Sequence, residues 1–192
     1  MVVTAKAALR RAVLTARRAV DDATHAREAE QIAALLTRLS REGEVTCAYV
    51  PTGTEPGSLR MLQDQHAAGV RVLLPLAGAD GELDWAEFTG SQDLRRGRFG
   101  LLEPTGRTLG PEAITDAHRV VVPALAVDRR GTRLGRGAGY YDRALRRVTE
   151  GVALLAVVRS EEVYAQVPRE THDVAVHGAL TPAGLIRLDA AL

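Results

Sequence analysis

Residues 131–143 read GTRLGRGAGYYDR, and few other segments of this 192-residue chain are so specialised. Glycines at 135, 137 and 139 let backbone amides approach a ligand without side-chain obstruction. A helix beginning just after them adds positive potential at its N-terminus, so phosphate is the natural ligand. Arg133 and Arg136 would neutralise it. Asp142 could ligate a magnesium ion that bridges phosphate oxygens, since magnesium takes one or two protein carboxylates and completes its shell with phosphates and water. Asp173, in the segment PRETHD, is the candidate for a second carboxylate. The residues alone leave a plainer reading open: a glycine-rich turn, arginines on a solvated face and Asp142 as a helix cap. Two familiar phosphate loops are excluded. A Walker loop needs Gly-Lys before Ser or Thr, and the only lysine is Lys6; the dinucleotide fingerprint fails because Tyr140 stands where its third glycine belongs.

Charge is distributed unevenly. The net charge is +1, from 25 basic and 24 acidic residues, which gives no global case for nucleic-acid binding. Residues 127–147 nevertheless hold seven arginines and two aspartates, so an anion site is suggested there. Apolar residues at 46% and charged residues at 26% are ordinary globular usage and exclude disorder or a fibrous repeat. The apolar run at 152–158 is far shorter than the roughly 18–20 residues of a membrane span. The N-terminus lacks the unbroken apolar stretch of a secretory signal, so a cytoplasmic location is expected. A lone Cys47 supports neither a disulfide nor a cysteine zinc cluster.

The elements that must position the motif alternate between strand and helix. Apolar or alanine positions at helical spacing predict helices over 5–20 and 22–41, with Asp21 or Asp22 capping the second and Gly43 ending it. Strands are expected over 45–50, over 70–74 with an end at Pro75, and over 82–88 at a sheet edge. A helix from Ser58 toward Gly69 joins the first two. A polar loop follows, then a strand over 119–122, a helix over about 139–149, a buried strand over 152–158, a last strand over 174–180 and a C-terminal helix opened by Thr181 and Pro182. This pattern predicts an α/β single-domain layered sandwich over 1–192, with a mostly parallel or mixed central sheet and helices on both faces. Ligands belong beyond the strand C-termini.

The string PALAVDRRGTRLGRGAGYYDR closely resembles the signature of the 5-formyltetrahydrofolate cyclo-ligase family, a small α/β family that uses ATP and Mg2+. The resemblance extends along most of the chain, through KAALR near the N-terminus, VPTGTEPGSL, FGLLEPTG and VPRETHD. It implies that Lys6 and Arg10 touch nucleotide phosphates and that Arg133, Leu134, Gly135, Arg136, Gly137, Ala138, Gly139, Tyr140 and Tyr141 hold the triphosphate. Arg136, Gly137, Gly139 and Tyr140 would also meet the folate, with Val50, Glu55 and Phe99. A carboxylate at Glu55 can accept paired hydrogen bonds from an amino-pyrimidinone edge. Asp142 and Asp173 would bind magnesium. Lys6, Arg136, Tyr140 and Tyr141 would be the catalytic groups, a tyrosine contacting the formyl oxygen. Four positions depart from the family's habit: Ala124 and Val127 replace a glycine and a phenylalanine, Ala138 a lysine or glycine, and His177 an aspartate.

The expected activity is ATP-dependent conversion of 5-formyltetrahydrofolate, free or polyglutamylated, to 5,10-methenyltetrahydrofolate by a monomer that needs neither nucleic acid nor membrane. Two rivals are an ATP-dependent enzyme of the same scaffold with another substrate, and a non-catalytic protein using the arginine-rich loop to hold nucleic acid or an acidic partner. The latter would lose affinity steeply with salt and ignore magnesium-ATP. Elsewhere the plainer readings hold: Cys47 is an inert buried thiol, Trp85 packs on the sheet, and His172 is a surface or supporting residue rather than a dyad partner for Asp173.

Overall fold

The computed structural model describes residues 2–97, 100–171 and 173–189. Two α-helices open the chain, α1 (Val2–Arg18) and α2 (Asp22–Arg38). Asp21 caps α2 by accepting a hydrogen bond from the Thr24 amide at 2.9 Å. The helix ends at Leu39, short of the expected Gly43. Then come β1 (Val45–Cys47), α3 (Arg60–Ala67), β2 (Arg71–Ala77) and β3 (Leu83–Glu87). A short hairpin of β4 (Leu94–Arg96) and β5 (Leu102–Pro104) occupies the segment expected to be a polar loop. After it run β6 (Arg119–Pro123), β7 (Ala126–Asp128), β8 (Arg133–Leu134), α4 (Tyr140–Leu145), β9 (Ala153–Val157), β10 (Val163–Tyr164), β11 (Gly178–Thr181) and β12 (Gly184–Arg187).

Seven strands form the main sheet in the order β12-β11-β9-β6-β1-β2-β3. The five inner strands are parallel, and both outer strands return antiparallel from a hairpin. The expected α/β sandwich is therefore correct, but the last inner strand begins at Gly178 rather than at 174, and two prolines act differently from expectation. Pro75 does not end β2: it pairs with Trp85 of the edge strand at a point that β1 no longer reaches, so its missing N–H costs no ladder bond. Thr181 and Pro182 open a turn into β12 rather than a helix, and the Thr181 hydroxyl closes that turn on the Gly184 carbonyl.

Alternation along each inner strand splits the core in two. Val120, Val122, Leu154, Ala156 and Leu73 pack on one face with Ile114, Ala144 and Leu145. Val121, Leu155, Val157, Val72 and Leu74 pack on the other, against Ile32, Leu36, Met61 and Leu62 of α2 and α3. The crossover from β1 to β2 uses α3 on one face, and the crossover from β6 to β9 uses α4 on the opposite face. Chain order thus reverses between β1 and β6, which opens a crevice at their carboxyl ends. Among the described residues no helix is long and apolar enough to cross a membrane.

α1 lies apart from the main layers, against a three-stranded sheet in the order β10-β7-β8, through Val13 with Leu125, Ala126, Leu134 and Val167. Its inward stripe is unusual. Lys6, Arg10, Val13 and Arg17 follow helical spacing along one face, and of these Lys6, Val13 and Arg17 are buried. The helix docks by its charges as much as by its apolar groups.

Candidate active site

The loop from β6 to α4 builds one wall of the crevice. β7 and β8 form a hairpin whose turn is held by Asp128, with Oδ1 accepting from the amides of Arg130 and Thr132 and Oδ2 from Val167. The glycine segment starts where β8 ends and reaches α4, which covers only six residues of the expected helix. Gly137 and Gly139 have φ of +105° and +74°, conformations that L side chains resist. A Cβ at Gly135 would meet the end of the Arg133 side chain at 2.9 Å, so a larger residue there would displace that guanidinium.

One cleft gathers Lys6, Arg10, Arg133, Leu134, Gly135, Gly137, Gly139, Asp142, Glu170 and Asp173. Lys6 Nζ lies 2.7 Å from Glu170 and 2.8 Å from Asp173. Burial opposes the Lys6 charge, but hydrogen bonds and charge from those carboxylates outweigh it and raise the ammonium's pKa. Arg10 donates to the Gly135 carbonyl at 2.9 Å and lies over Gly137. Arg133 donates to Asp142 at 2.6 Å and sits over the Tyr141 ring. Three cations thus face three carboxylates. The Arg133 Nε is buried with no acceptor among the described residues, a donor that an anionic oxygen would satisfy.

The second half of the site faces it across the switch in strand order. Glu55, on the loop after β1, is buried, accepts from the Thr52 amide and hydroxyl, and pairs with Arg136 at 3.0 Å. Val50 is half-buried beside the second core. Tyr141 packs on the first core, and burial together with the Glu55 charge pushes its phenol well up. Tyr140 points elsewhere: its hydroxyl donates to the Gly78 carbonyl at 3.2 Å, in the turn between β2 and β3. Arg143 lies over the Tyr140 ring and donates to Gly81 of the same turn, so α4 is clasped to that hairpin. Ala138 is exposed at the loop's tip. Phe99 and His172 lie outside the described residues.

The cleft therefore unites Lys6, Arg10, Arg133–Gly135, Gly137, Gly139, Asp142 and Asp173, while Glu55 and Arg136 form a neighbouring pair. Sequence reasoning missed Glu170, whose contact with Lys6 spans 164 positions and leaves no local signal. It also missed Tyr49, whose buried hydroxyl has no partner among the described residues and whose pKa is raised first by burial and then by the Glu55 charge. Three of the four departures have definite local settings, and nothing in the structure explains Ala138. Ala124 offers its carbonyl to Arg17, Val127 fills the first core, and His177 Nδ1 accepts from the Leu154 amide, so it serves the sheet.

The donor set fits a nucleotide with its metal. Cationic side chains and an orphaned guanidinium nitrogen suit phosphate oxygens, and the carboxylates of Asp142 and Asp173 are the hard ligands that magnesium prefers. Among the described residues no three acidic or imidazole groups converge on one point.

The chain is 43% identical over 189 residues to a 5-formyltetrahydrofolate cyclo-ligase of Mycolicibacterium smegmatis, covering 95% of this chain and 97% of that protein. Its structure is similar to a 5,10-methenyltetrahydrofolate synthetase of Aquifex aeolicus, with a TM-score of 0.79 and 29% identity over 97% of this chain and 94% of that one. A synthetase from Mycoplasma pneumoniae shares the fold at 18% identity, with a TM-score of 0.73 over 91% of this chain and 97% of the other. The model of the 5-formyltetrahydrofolate cyclo-ligase family matches residues 2–182, and the chain belongs to that family.

Proposed function

We propose that residues 1–192 act as one domain that converts 5-formyltetrahydrofolate to 5,10-methenyltetrahydrofolate at the expense of ATP, releasing ADP and phosphate. The observation that carries this reading is the convergence of Lys6, Arg10 and Arg133 with Asp142 and Asp173 in one cleft, beside the Glu55–Arg136 pair. The first group suits a triphosphate, and the second a folate ring edge held by a carboxylate.

The chemistry needs activation because a formamide oxygen is a poor leaving group. Transfer of the terminal phosphoryl group of ATP to that oxygen releases ADP and gives an imidate-like phosphate. The neighbouring secondary amine nitrogen attacks the activated carbon and gives up its proton to solvent, the five-membered ring closes, and phosphate leaves with the oxygen. Lys6, Arg10, Arg133 and Arg136 hold the phosphates and offset charge on the transferring group, usually the largest source of rate enhancement in such reactions. Glu55 and Val50 orient the pterin. Tyr141, kept protonated by its surroundings, is a donor for the formyl oxygen, and Tyr140 reaches the substrate once its bond to Gly78 is released. Magnesium, held by Asp142 and Asp173, would supply charge neutralisation at the phosphates. The reading has the protein acting as a cytoplasmic monomer, with the free or polyglutamylated folate as its partner and no nucleic acid.

The test is growth of the methenyl-folate absorbance band in purified protein with 5-formyltetrahydrofolate and magnesium-ATP. Growth in the complete reaction, lost without ATP and in Asp142→Ala, is the expected result. Absence of the band in the complete reaction while ATP still binds overturns the assignment in favour of another substrate.

A further inference from the structure

Outside the cleft, three almost fully buried charged side chains form an array that the chemistry above does not use. Arg17, Glu162 and Arg159 are 2%, 4% and 1% exposed. Arg17 of α1 donates to both Glu162 oxygens at 2.7 Å and to the Ala124 carbonyl at 2.7 Å. Glu162 also accepts from the Arg159 backbone amide at 2.8 Å. From there the Arg159 side chain turns toward α2 and the loop after β1. Its Nε donates to Glu28 at 2.7 Å, Nη2 to His25 Nδ1 at 3.0 Å and Nη1 to the Thr54 carbonyl at 3.2 Å. Because a guanidinium only donates, His25 Nδ1 is the acceptor.

The last of these contacts bears on the site. Thr54 immediately precedes Glu55. Thr52 and Glu55 bond to each other, which folds the loop locally without tying it to the sheet. The Thr54 carbonyl is held from outside, by a side chain rooted just beyond the carboxyl end of β9. Burying a guanidinium is costly unless its donors are engaged, so this geometry is tightly specified.

We infer that Arg159 is a positioning residue for the folate site: it fixes the Thr54 carbonyl and with it the Glu55 carboxylate. The shared Glu162 sets that anchor against α1, the helix that carries Lys6 and Arg10. The inference rests on the reading of Glu55 as a folate ligand.

Arg159→Lys keeps a positive charge near Glu28 but lacks the second and third nitrogens. The expected result is a KM for 5-formyltetrahydrofolate raised about tenfold, the loss of one charge-assisted hydrogen bond, with the KM for ATP within about twofold of wild type. Glu28→Gln loosens the same guanidinium without touching the loop and shifts the folate KM in the same direction by about threefold. A purely structural role would move both KM values alike. Folate KM values within twofold of wild type in the folded variants, or equal rises for both substrates, overturn the inference. If Arg159→Lys does not fold, Glu28→Gln decides by the same criteria. If wild-type protein fails to cyclise the folate, the proposed activity falls, and hydrogen–deuterium exchange over residues 51–57 of Glu28→Gln decides the tether. Faster exchange confined to that segment supports it, and unchanged exchange overturns it.

Discussion

Lys6→Met removes the ammonium that bridges Glu170 and Asp173 while keeping most of the side chain's length. Lys6 is 5% exposed, and the Asp173 side chain is 8% exposed. Removing one partner of such a pair costs about 3–5 kcal/mol when both are dry. The Glu170 side chain is 35% exposed, so water screens part of the loss and the expectation here is about 2–3 kcal/mol. For a chain of this size that is a drop in Tm of roughly 4–12 °C, measured by circular dichroism or calorimetry. The pH dependence has a defined sign. Burial lowers the Lys6 pKa, its two carboxylate partners raise it by more, and the folded value lies above the ordinary 10.5. The ammonium's contribution is therefore fully present below the unfolded value and is lost as pH rises through the folded one. The Tm gap between wild type and variant stays constant from about pH 7 to about pH 9 and narrows only in stronger alkali. A gap under about 1 °C, or one that closes between about pH 7 and pH 9, would refute the assignment of Lys6 as the charge that docks α1.

Other perturbations separate stability from binding. Arg136→Ala removes a side chain that is 58% exposed, so Tm should fall by at most about 3 °C while the folate KM rises about tenfold; a normal KM would detach Arg136 from the substrate. Gly139→Ala forces a Cβ onto a φ of +74°, 3.0 Å from an Arg143 nitrogen, and should cost about 1–2 kcal/mol in a denaturant titration, with no change arguing against the left-handed conformation. Burial, with a smaller push from Asp116, raises the Cys47 thiol to about 12, so at pH 8 an aromatic disulfide reagent should label it only as fast as the protein unfolds; burst labelling in native buffer would contradict the buried setting.

The parts of the fold written in local pattern were legible, and those written in long-range contact were not. Val120–Val122 announced a buried strand because three β-branched residues in a row suit a sheet covered on both faces. Pro75 misled because its meaning depends on which neighbour pairs with it: an unpaired N–H is harmless beyond the end of β1. Pro182 misled for a related reason, since a proline after threonine can open a helix or a hairpin, and Gly184 at φ +138° settles the choice. Strands of two or three residues, such as β8 and β4, are too short for any periodicity to register. In the site, the glycine segment and Asp142 declare themselves by composition, whereas Glu170 and Arg159 gain their places from partners that distant segments bring to them, and Tyr49 from burial.

The reversal of strand order also bears on how the chain folds. Every other neighbouring pair in the main sheet joins segments much nearer in sequence than β1 and β6, where the Val45 amide meets His118 across 73 positions. Closing so large a loop carries more entropic cost than the adjoining crossovers and hairpins, which makes that pairing a slow step. Glu55 rides on one side of the seam and Arg136 on the other. The ion pair between them can form only after the two halves have met, so a partly folded chain has no working pocket to expose. Recovery of activity during refolding should therefore lag the return of helical signal.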